Sequence, residues 1–308
     1  MKDTNMKIYG AGIAGLLAGC MFQNARIYEA GSFKQSQHKA VLRFRSSAVG
    51  DSVGIDFRKV KVHKGLWCDG KSVAPSIQLA NWYSDKVVGR LADRSIWNLD
   101  PVERFIAPED FIEQLVDRCD NRIVWNHKID RDQVLNEKEP IISTLPMKLM
   151  AQFMANDMSK EMIESAPDFS FAPIVVRRYR IPNADVFQSI YFPELETTLY
   201  RASITGDLLI AEYVDEADDY DFFPAFGIKR DHCQPIETVS QRFGKIAKID
   251  DAWRKQFMFE LTHKHNIFSL GRFGTWRNIL LDDVLHDLAV LKKLMKTTTY
   301  DRMRHAAK

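Results

Sequence analysis

The sequence predicts a mixed α/β protein in which a parallel-sheet domain carries an inserted, strand-rich domain. A glycine-rich turn, Gly10-x-Gly12-x-x-Gly15, lies between a short apolar strand and a helix-forming segment. Apolar segments separated by short turns follow one another over residues 173–214, which is typical of antiparallel strands. A further strand, turn and amphipathic helix come near the end, over residues 266–288.

The composition is that of a globular chain long enough for one large or two moderate domains. Of 308 residues, 45% are hydrophobic and 27% charged, and 43 basic against 41 acidic residues give a net charge of +2. This balance indicates neither a membrane nor a nucleic-acid partner, although a local basic patch is compatible with it. The four scattered cysteines lack CxxC spacing. They predict no metal site or disulfide framework and fit a reducing, cytoplasmic environment.

The stretch KIYGAGIAGLLAGC, residues 7–20, has two interpretations. It resembles a lipoprotein signal with Cys20 as the lipidated residue, or a strand, glycine turn and helix that bind a dinucleotide. The second interpretation requires a following strand that ends in an acid about 20 residues after the first glycine. The segment ARIYEAG alternates like a strand and ends at Glu29, and no polar tether follows Cys20. We therefore favour the dinucleotide turn, with Cys20 as a small residue on a buried helix face.

Each glycine of this turn, and the acid of the strand-like segment ARIYEAG, has its own physical role in dinucleotide binding. Gly10 permits the tight turn, Gly12 allows a pyrophosphate to approach the backbone, and Gly15 lets the helix pack closely on the strand. The helix N-terminus presents free amide hydrogens and partial positive charge to the phosphates. Glu29 is expected to accept hydrogen bonds from the ribose hydroxyls.

Three further candidate site residues lie before residue 75. Arg43 and Arg45 flank Phe44 in AVLRFRSS, where an arginine could reach the pyrophosphate or lie solvated on an edge segment. The segment KVKVHKGLWCDGKSV alternates and contains an Asp-Gly turn, which predicts a hairpin. It carries His63, a candidate catalytic group for which a structural role is the alternative.

The middle of the chain alternates between helix and strand patterns. Pro108, followed by acids and a helical apolar repeat, marks a helix start. The segments NRIVWNHKI and EPIISTLPM predict strands, the second buried and ending at Thr144, where backbone would lie near a cofactor. Residues 149–165 have a helical pattern.

The last third contains two predicted helices and a connection. Residues 236–244, IETVSQRFG, are predicted to form a short helix, and residues 251–266 a connection back to the first domain. The segment LLDDVLHDLAVLKKLM is strongly amphipathic, and Asp282 or Asp283 is expected to cap its helix. The basic tail, residues 297–308, is expected to be peripheral.

Taken together, the glycine turn, Glu29, the ISTLP strand at 142–146 and LGRFGTWR with the following acids at 270–283 resemble the glutathione-reductase-type FAD superfamily. They are most similar to the branch of UDP-galactopyranose mutase and the amine and protoporphyrinogen oxidases. This resemblance implies a Rossmann-like FAD-binding domain with an inserted mixed or antiparallel β-sheet substrate domain. The implied FAD-binding domain comprises residues 1–75, 105–148 and 262–308, and the implied substrate domain comprises residues 76–104 and 149–261.

The resemblance also implies roles for residues near the C-terminus. Gly271 and Arg272 would contact the FAD diphosphate, and backbone groups of Asp283 and Val284 would face the ribityl chain and the flavin pyrimidine edge. No cysteine motif for a covalent flavin is present, so FAD is expected to bind non-covalently. Mutases of this family usually carry Gly-Gly-Asn or Gly-Gly-Arg after the ribose-binding acid, whereas this chain has GSFKQSQHKAVLRFRS.

Three functions follow from this resemblance. The first is an FAD-dependent oxidoreductase that takes a hydride from a C–N or C–C bond. The second is a redox-neutral enzyme like UDP-galactopyranose mutase, which would act on a sugar nucleotide, and the third is a non-enzymatic flavin-binding protein. The expected partner is a small-molecule or nucleotide-linked substrate.

The substrate-domain strands supply the candidate catalytic residues Arg178, Tyr200 and Arg201. Alternation along a strand puts Arg178 and Arg180 on one face and Arg177 on the other. Such arginines suit a diphosphate, a carboxylate or a phosphorylated polymer. A solvated outer sheet face is the alternative.

Overall fold

A computed structural model describes residues 6–32, 41–91 and 95–296 of the chain, and the basic tail lies outside these residues. The described strands, in chain order, are β1 (Met6–Tyr9), β2 (Ala25–Tyr28), β3 (Arg43–Phe44), β4 (Arg58–Cys68), β5 (Lys71–Ser72), β6 (Val102–Ile106), β7 (Ile123–Val124), β8 (Ile141–Ser143), β9 (Phe171–Arg180), β10 (Val186–Tyr191), β11 (Leu199–Gly206), β12 (Leu208–Val214), β13 (Gln234–Ile246) and β14 (Ile267–Ser269). The described helices are α1 (Ile13–Met21), α2 (Ala48–Val53), α3 (Ile77–Val88), α4 (Phe111–Cys119), α5 (Arg131–Leu135), α6 (Met147–Phe153), α7 (Lys160–Glu164), α8 (Asp251–His265), α9 (Gly271–Gly274) and α10 (Leu281–Leu294). Within these ranges, no helix combines the length and apolarity needed to cross a membrane.

The first sheet has the order β14-β8-β1-β2-β7, and all of its neighbouring strands are parallel. Strand β2 lies on one side of β1, and β8, which comes later in the chain, lies on the other side of β1. The strand order therefore reverses between β1 and β8. In open parallel sheets, ligands bind outside the carboxyl ends of the strands at such a reversal. The glycine-rich turn follows β1 directly and so lies at this point.

The first sheet packs an apolar core on each of its faces, as is usual for parallel strands. Ile8 and Ile27 pack in one core with Leu16 and Leu17 of helix α1. Tyr9 lies in a second core on the opposite face, which includes residues of helix α8. The alternation of side chains along β1 thus assigns successive residues to separate cores.

The second sheet is mixed and has the order β13-β9-β12-β11-β10-β4-β6-β3, with β5 paired to β4. Strand β10 runs parallel to β4, and the other pairings are antiparallel. The predicted antiparallel strands over residues 173–214 are confirmed, with β9 placed beside β12. The predicted class, a Rossmann-like domain with a mixed or antiparallel inserted sheet, is confirmed.

One predicted element is wrong, because residues 236–244 belong to strand β13 and not to a helix. Strand β13 pairs antiparallel with β9 along most of its length. Its side chains alternate between exposed and half-buried, as expected of an edge strand with one face on the protein. The pairing with β9 thus outweighs the weak local helix preference of this polar segment.

Two other segments differ from their predicted secondary structure. Residues 149–165 form two short helices, α6 and α7, separated by a turn. The predicted connection at 251–266 is helix α8, whose N-cap Asp250 accepts a hydrogen bond from the Trp253 amide at 2.7 Å. This cap fixes the start of helix α8. It was not predicted from the sequence.

The second sheet packs a different core on each of its faces. One face places Tyr179 and Tyr213 against Phe222 and Phe223. The other face, here called the α3 face, carries Ile174, Val176, Tyr200 and Ile210 and packs against Tyr83 and Val87 of helix α3. The predicted alternation of Arg177 and Arg178 between opposite faces agrees with this division.

Candidate functional site

The turn after β1 accepts only glycine at its first and last glycine positions. Gly10 has a φ of 97°, and a Cβ there would lie 2.2 Å from the Thr144 hydroxyl. A Cβ on Gly15 would lie 1.9 Å from the carbonyl oxygen of Gly10. These distances are far below van der Waals contact, so both positions bring backbone and helix together as the motif requires.

Gly12 differs from its two neighbours because its surroundings are open. It is the N-cap of helix α1, in an extended conformation, and no side chain caps the helix. A Cβ on Gly12 would meet no atom of the described residues within 4 Å. The first amide groups of α1 have no acceptors within the helix and, with the helix dipole, favour an anion at this place.

Glu29 lies immediately after β2 and holds the glycine turn. One carboxylate oxygen accepts the Ala11 amide hydrogen at 2.7 Å, and the other accepts that of Gly31 at 2.8 Å. A carboxylate can accept about four hydrogen bonds, so capacity remains for ribose hydroxyls.

Thr144 and Gly271 lie at the same edge of the sheet. The Thr144 hydroxyl donates to the Tyr9 carbonyl at 2.9 Å, next to the Gly10 turn. Gly271 has a φ of 78°, and a Cβ there would lie 2.8 Å from the Cβ of Ala14 in helix α1. The structure thus brings Gly10, Thr144 and Gly271 together around the start of α1.

The prediction that Asp282 or Asp283 is the N-cap of helix α10 is wrong, because the N-cap residue is Leu280 and both acids lie in the first turn. Asp283 accepts the Leu280 amide hydrogen at 2.8 Å, whereas Asp282 accepts the Arg45 amide hydrogen at 2.9 Å. The amides of Asp283 and Val284 donate to the Leu280 carbonyl at 3.1 and 3.2 Å. The helix itself therefore uses the two amide groups that the resemblance assigns to the flavin.

Arg43 and Arg45 lie in different environments. The buried guanidinium of Arg43 donates to Ser189 at 2.6 Å and to Thr205 at 2.7 Å. Burial, with the nearby charge of Arg201, lowers the pKa of Arg43 to about 10. Arg45 is exposed and pairs with Asp283 at 3.0 Å. The structure thus places Arg43 in the second sheet and Arg45 against helix α10.

Tyr200, Arg201 and Glu212 form a network on the α3 face. Glu212 is 1% exposed and accepts hydrogen bonds from Arg201 at 2.7 Å and from the Tyr200 hydroxyl at 3.2 Å. Burial, together with the Glu212 charge, raises the pKa of the Tyr200 hydroxyl well above its usual value. The ammonium of Lys245 lies 4.7 Å from the centre of the Tyr200 ring.

Arg272 reaches from helix α9 to the second sheet. Its guanidinium donates to the Gly244 carbonyl at 3.0 Å and to the Asn278 side chain at 3.2 Å, both neutral groups. Its Nε is buried and has no hydrogen-bond partner among the described residues. Burial lowers the pKa of Arg272, and the Tyr200 hydroxyl acts in the opposite direction.

The remaining two candidates differ in their surroundings. Arg178 pairs with Glu237 at 2.5 Å, and its Nε is buried with no hydrogen-bond partner among the described residues. His63 is exposed on β4 opposite Gln188. The sequence interpretation missed Glu212 and Lys245. An acid inside the apolar strand DLLIAEYV was the available signal for Glu212, since a buried acid requires a partner.

The fold and the glycine turn define a Rossmann-like architecture with an inserted mixed sheet. No protein-family model and no curated protein matches the sequence. Among solved structures, reduced UDP-galactopyranose mutase superposes with a TM-score of 0.60 at 14% identity, over 89% of this chain and 91% of that one.

Two further solved structures match over nearly their whole length. A conjugated-linoleic-acid (CLA)-producing fatty acid isomerase from P. acnes superposes with a TM-score of 0.58 at 12% identity, over 95% of this chain and 99% of that one. The PF1083 protein from Pyrococcus furiosus superposes with a TM-score of 0.57 at 9% identity, over 96% and 98% of the two chains. At these identities the similarity shows the fold alone, and at that level the predicted resemblance to UDP-galactopyranose mutase is confirmed.

Proposed function

We propose that this protein is an FAD-dependent oxidoreductase that removes a hydride from a C–N or C–C bond of an anionic small molecule. The observation that carries the proposal is the contrast within the glycine turn. A Cβ on Gly10 or Gly15 would clash with protein atoms, whereas a Cβ on Gly12 would meet no described atom within 4 Å. The N-terminus of α1 is therefore accessible to an anion at Gly12. We propose non-covalent binding, a cytoplasmic location and the division into FAD-binding and substrate domains given by the resemblance.

The residues around this turn fit the extended shape of FAD. The N-terminus of α1 would hold the pyrophosphate, and Glu29 would accept the ribose hydroxyls. The positions of Thr144 and Gly271 beside the turn support a cofactor that continues toward the second sheet. Bound FAD would supply the two-electron acceptor, and the protein would supply position and electrostatics.

Arginines that contact the second sheet support an anionic substrate. The guanidinium groups of Arg43 and Arg272 donate hydrogen bonds to neutral groups, so these hydrogen bonds do not neutralise their charges. Arg201, one-third exposed, is held in a fixed orientation by the buried Glu212. Arginine presents a planar fork that matches carboxylate and phosphate groups.

Replacing Glu29 with alanine is expected to weaken FAD binding. Loss of one charge-assisted hydrogen bond removes about 1.5–3 kcal/mol, equivalent to about a 10- to 150-fold weaker affinity. The measurement is a titration of apoprotein with FAD followed by flavin fluorescence. Glu164→Ala, at an exposed acid in helix α7, is the control and should bind FAD like the wild type. Equal affinity of Glu29→Ala and the wild type would contradict the ribose role.

A redox-neutral, mutase-like reaction on a sugar nucleotide is the second candidate, because the same arginines would suit a diphosphate. Anaerobic bleaching of the flavin absorbance by amines, amino acids or other organic anions supports the oxidoreductase. Interconversion of sugar-nucleotide ring isomers only after dithionite reduction supports the mutase. A flavin-loaded protein inactive in both assays would indicate a flavin-binding role, and protein that cannot be loaded with FAD contradicts all three.

A further inference from the structure

A cavity of about 320 Å³ lies on the face of the first sheet that points away from helix α1. Its lining includes side chains from β1, β2 and the segment before β8, among them Lys7, Tyr9, Tyr28, His127, Gln133 and Glu137. Because Ile8 and Ile27 of the same strands pack toward α1, the sheet separates this cavity from the glycine turn.

Aromatic rings form one wall of this cavity. The Tyr28 ring lies 5.1 Å from the His127 ring and 6.0 Å from the Tyr9 ring, measured between centroids. Tyr9 is only 2% exposed, so it fixes the position of Tyr28. Burial, together with the Glu137 charge, raises the pKa of the Tyr9 hydroxyl, which therefore stays protonated as a hydrogen-bond donor.

The charged side chains of the cavity, Lys7 and Glu137, are paired and carry little net charge. Lys7 forms an ion pair with Glu137, which also accepts the amide hydrogens of Lys138 and Glu139 at 3.0 Å. The Gln133 amide nitrogen lies 3.0 Å from Nε2 of His127, an arrangement in which the amide donates to the ring. The cavity thus offers ring faces and hydrogen-bonding groups without an uncompensated charge.

We propose that this cavity binds a nucleoside through its flat heteroaromatic base, at a site distinct from the glycine turn. The base would stack on the Tyr28 ring and contact the edge of the His127 ring, which is tilted 54° to it, since base–aromatic stacking requires only a ring face and tolerates different bases. Its polar edge would meet the Gln133 side chain and the Tyr9 hydroxyl. The volume lies at the lower end of the usual range for small-molecule pockets. The compensated Lys7–Glu137 pair favours the neutral nucleoside over its phosphate esters.

The test is a calorimetric titration of adenosine into the full chain saturated with FAD, so that the glycine turn is filled. The wild type should bind adenosine, and ribose alone should not bind. Tyr28→Ala should weaken adenosine binding at least about fivefold because the stacking surface is lost. Tyr28→Phe keeps the ring and should bind within about twofold of the wild type.

Controls separate this site from the cofactor site and from misfolding. Because FAD fills the glycine turn, adenosine binding that persists at saturating FAD is assigned to the cavity, and Glu164→Ala, at an exposed acid in helix α7, should bind adenosine like the wild type. If circular dichroism shows that Tyr28→Ala is unfolded, His127→Ala replaces it with the same expectation. Absence of binding to the wild type, equal binding of ribose, or unchanged binding by the folded alanine variant would overturn the proposal.

Discussion

Gly15→Ala is expected to abolish FAD retention and to lower the free energy of unfolding by about 1–3 kcal/mol, typical of overpacking. The added Cβ would lie 1.9 Å from the carbonyl oxygen of Gly10. That oxygen belongs to the backbone, so helix α1 must move away from β1 to relieve the clash. Alanine is intrinsically the better helix residue by about 1 kcal/mol, which makes a loss of stability diagnostic of the close approach.

Urea unfolding and the flavin absorbance of the reconstituted protein measure both effects of Gly15→Ala. Gly65→Ala is a suitable control, because a Cβ there would meet Ile190 at 3.6 Å, an ordinary contact. This control should remain as stable as the wild type and retain FAD. Wild-type stability and FAD content in Gly15→Ala would show that the turn is not packed as described.

Glu212→Ala is expected to lower the free energy of unfolding by about 3–5 kcal/mol, the usual cost of removing one partner of a buried ion pair. The change leaves the Arg201 charge without its carboxylate and the Tyr200 hydroxyl without its acceptor. Asp185→Ala removes the partner of Arg58 in an exposed pair and should leave the stability close to that of the wild type.

Urea unfolding at pH 7 compares these two variants directly. The double variant Arg201→Met/Glu212→Leu should recover much of the lost stability, since apolar side chains of similar volume can replace a buried pair. Similar costs for Glu212→Ala and Asp185→Ala would contradict the role of Glu212 as the buried anchor of Arg201.

The glycine turn could be predicted because its signal is local. One strand, three glycines and the acid after the next strand lie within residues 7–29, and each has its own steric or polar reason. Strand β13 was mispredicted because its conformation depends on pairing with β9, far away in the sequence. A polar edge strand has little apolar pattern of its own. The helix prediction for residues 236–244 therefore followed local propensity and was wrong.

The candidate site was predictable only in part for the same reason. Alternation along β9 correctly placed Arg178 and Arg177 on opposite faces. The contact between Arg201 and Glu212, however, depends on the register of β11 and β12, which shifts near Arg201. The position of Arg43 after Glu29 left two environments open, the pyrophosphate or a solvated edge segment. Its actual partners, Ser189 and Thr205, become neighbours only when the second sheet assembles.

The most direct test of the proposed FAD site compares FAD binding by the wild type and Gly12→Ala. A Cβ on Gly12 meets no described atom within 4 Å, so the variant should unfold within about 1 kcal/mol of the wild type, as a cap change allows. The added methyl group would occupy the approach of the pyrophosphate and should weaken FAD binding at least about tenfold, or 1.4 kcal/mol. Equilibrium dialysis should find one FAD per wild-type chain and loss of binding in a folded Gly12→Ala. Failure of the wild type to bind FAD, or equal affinity of both proteins, would contradict the proposed function.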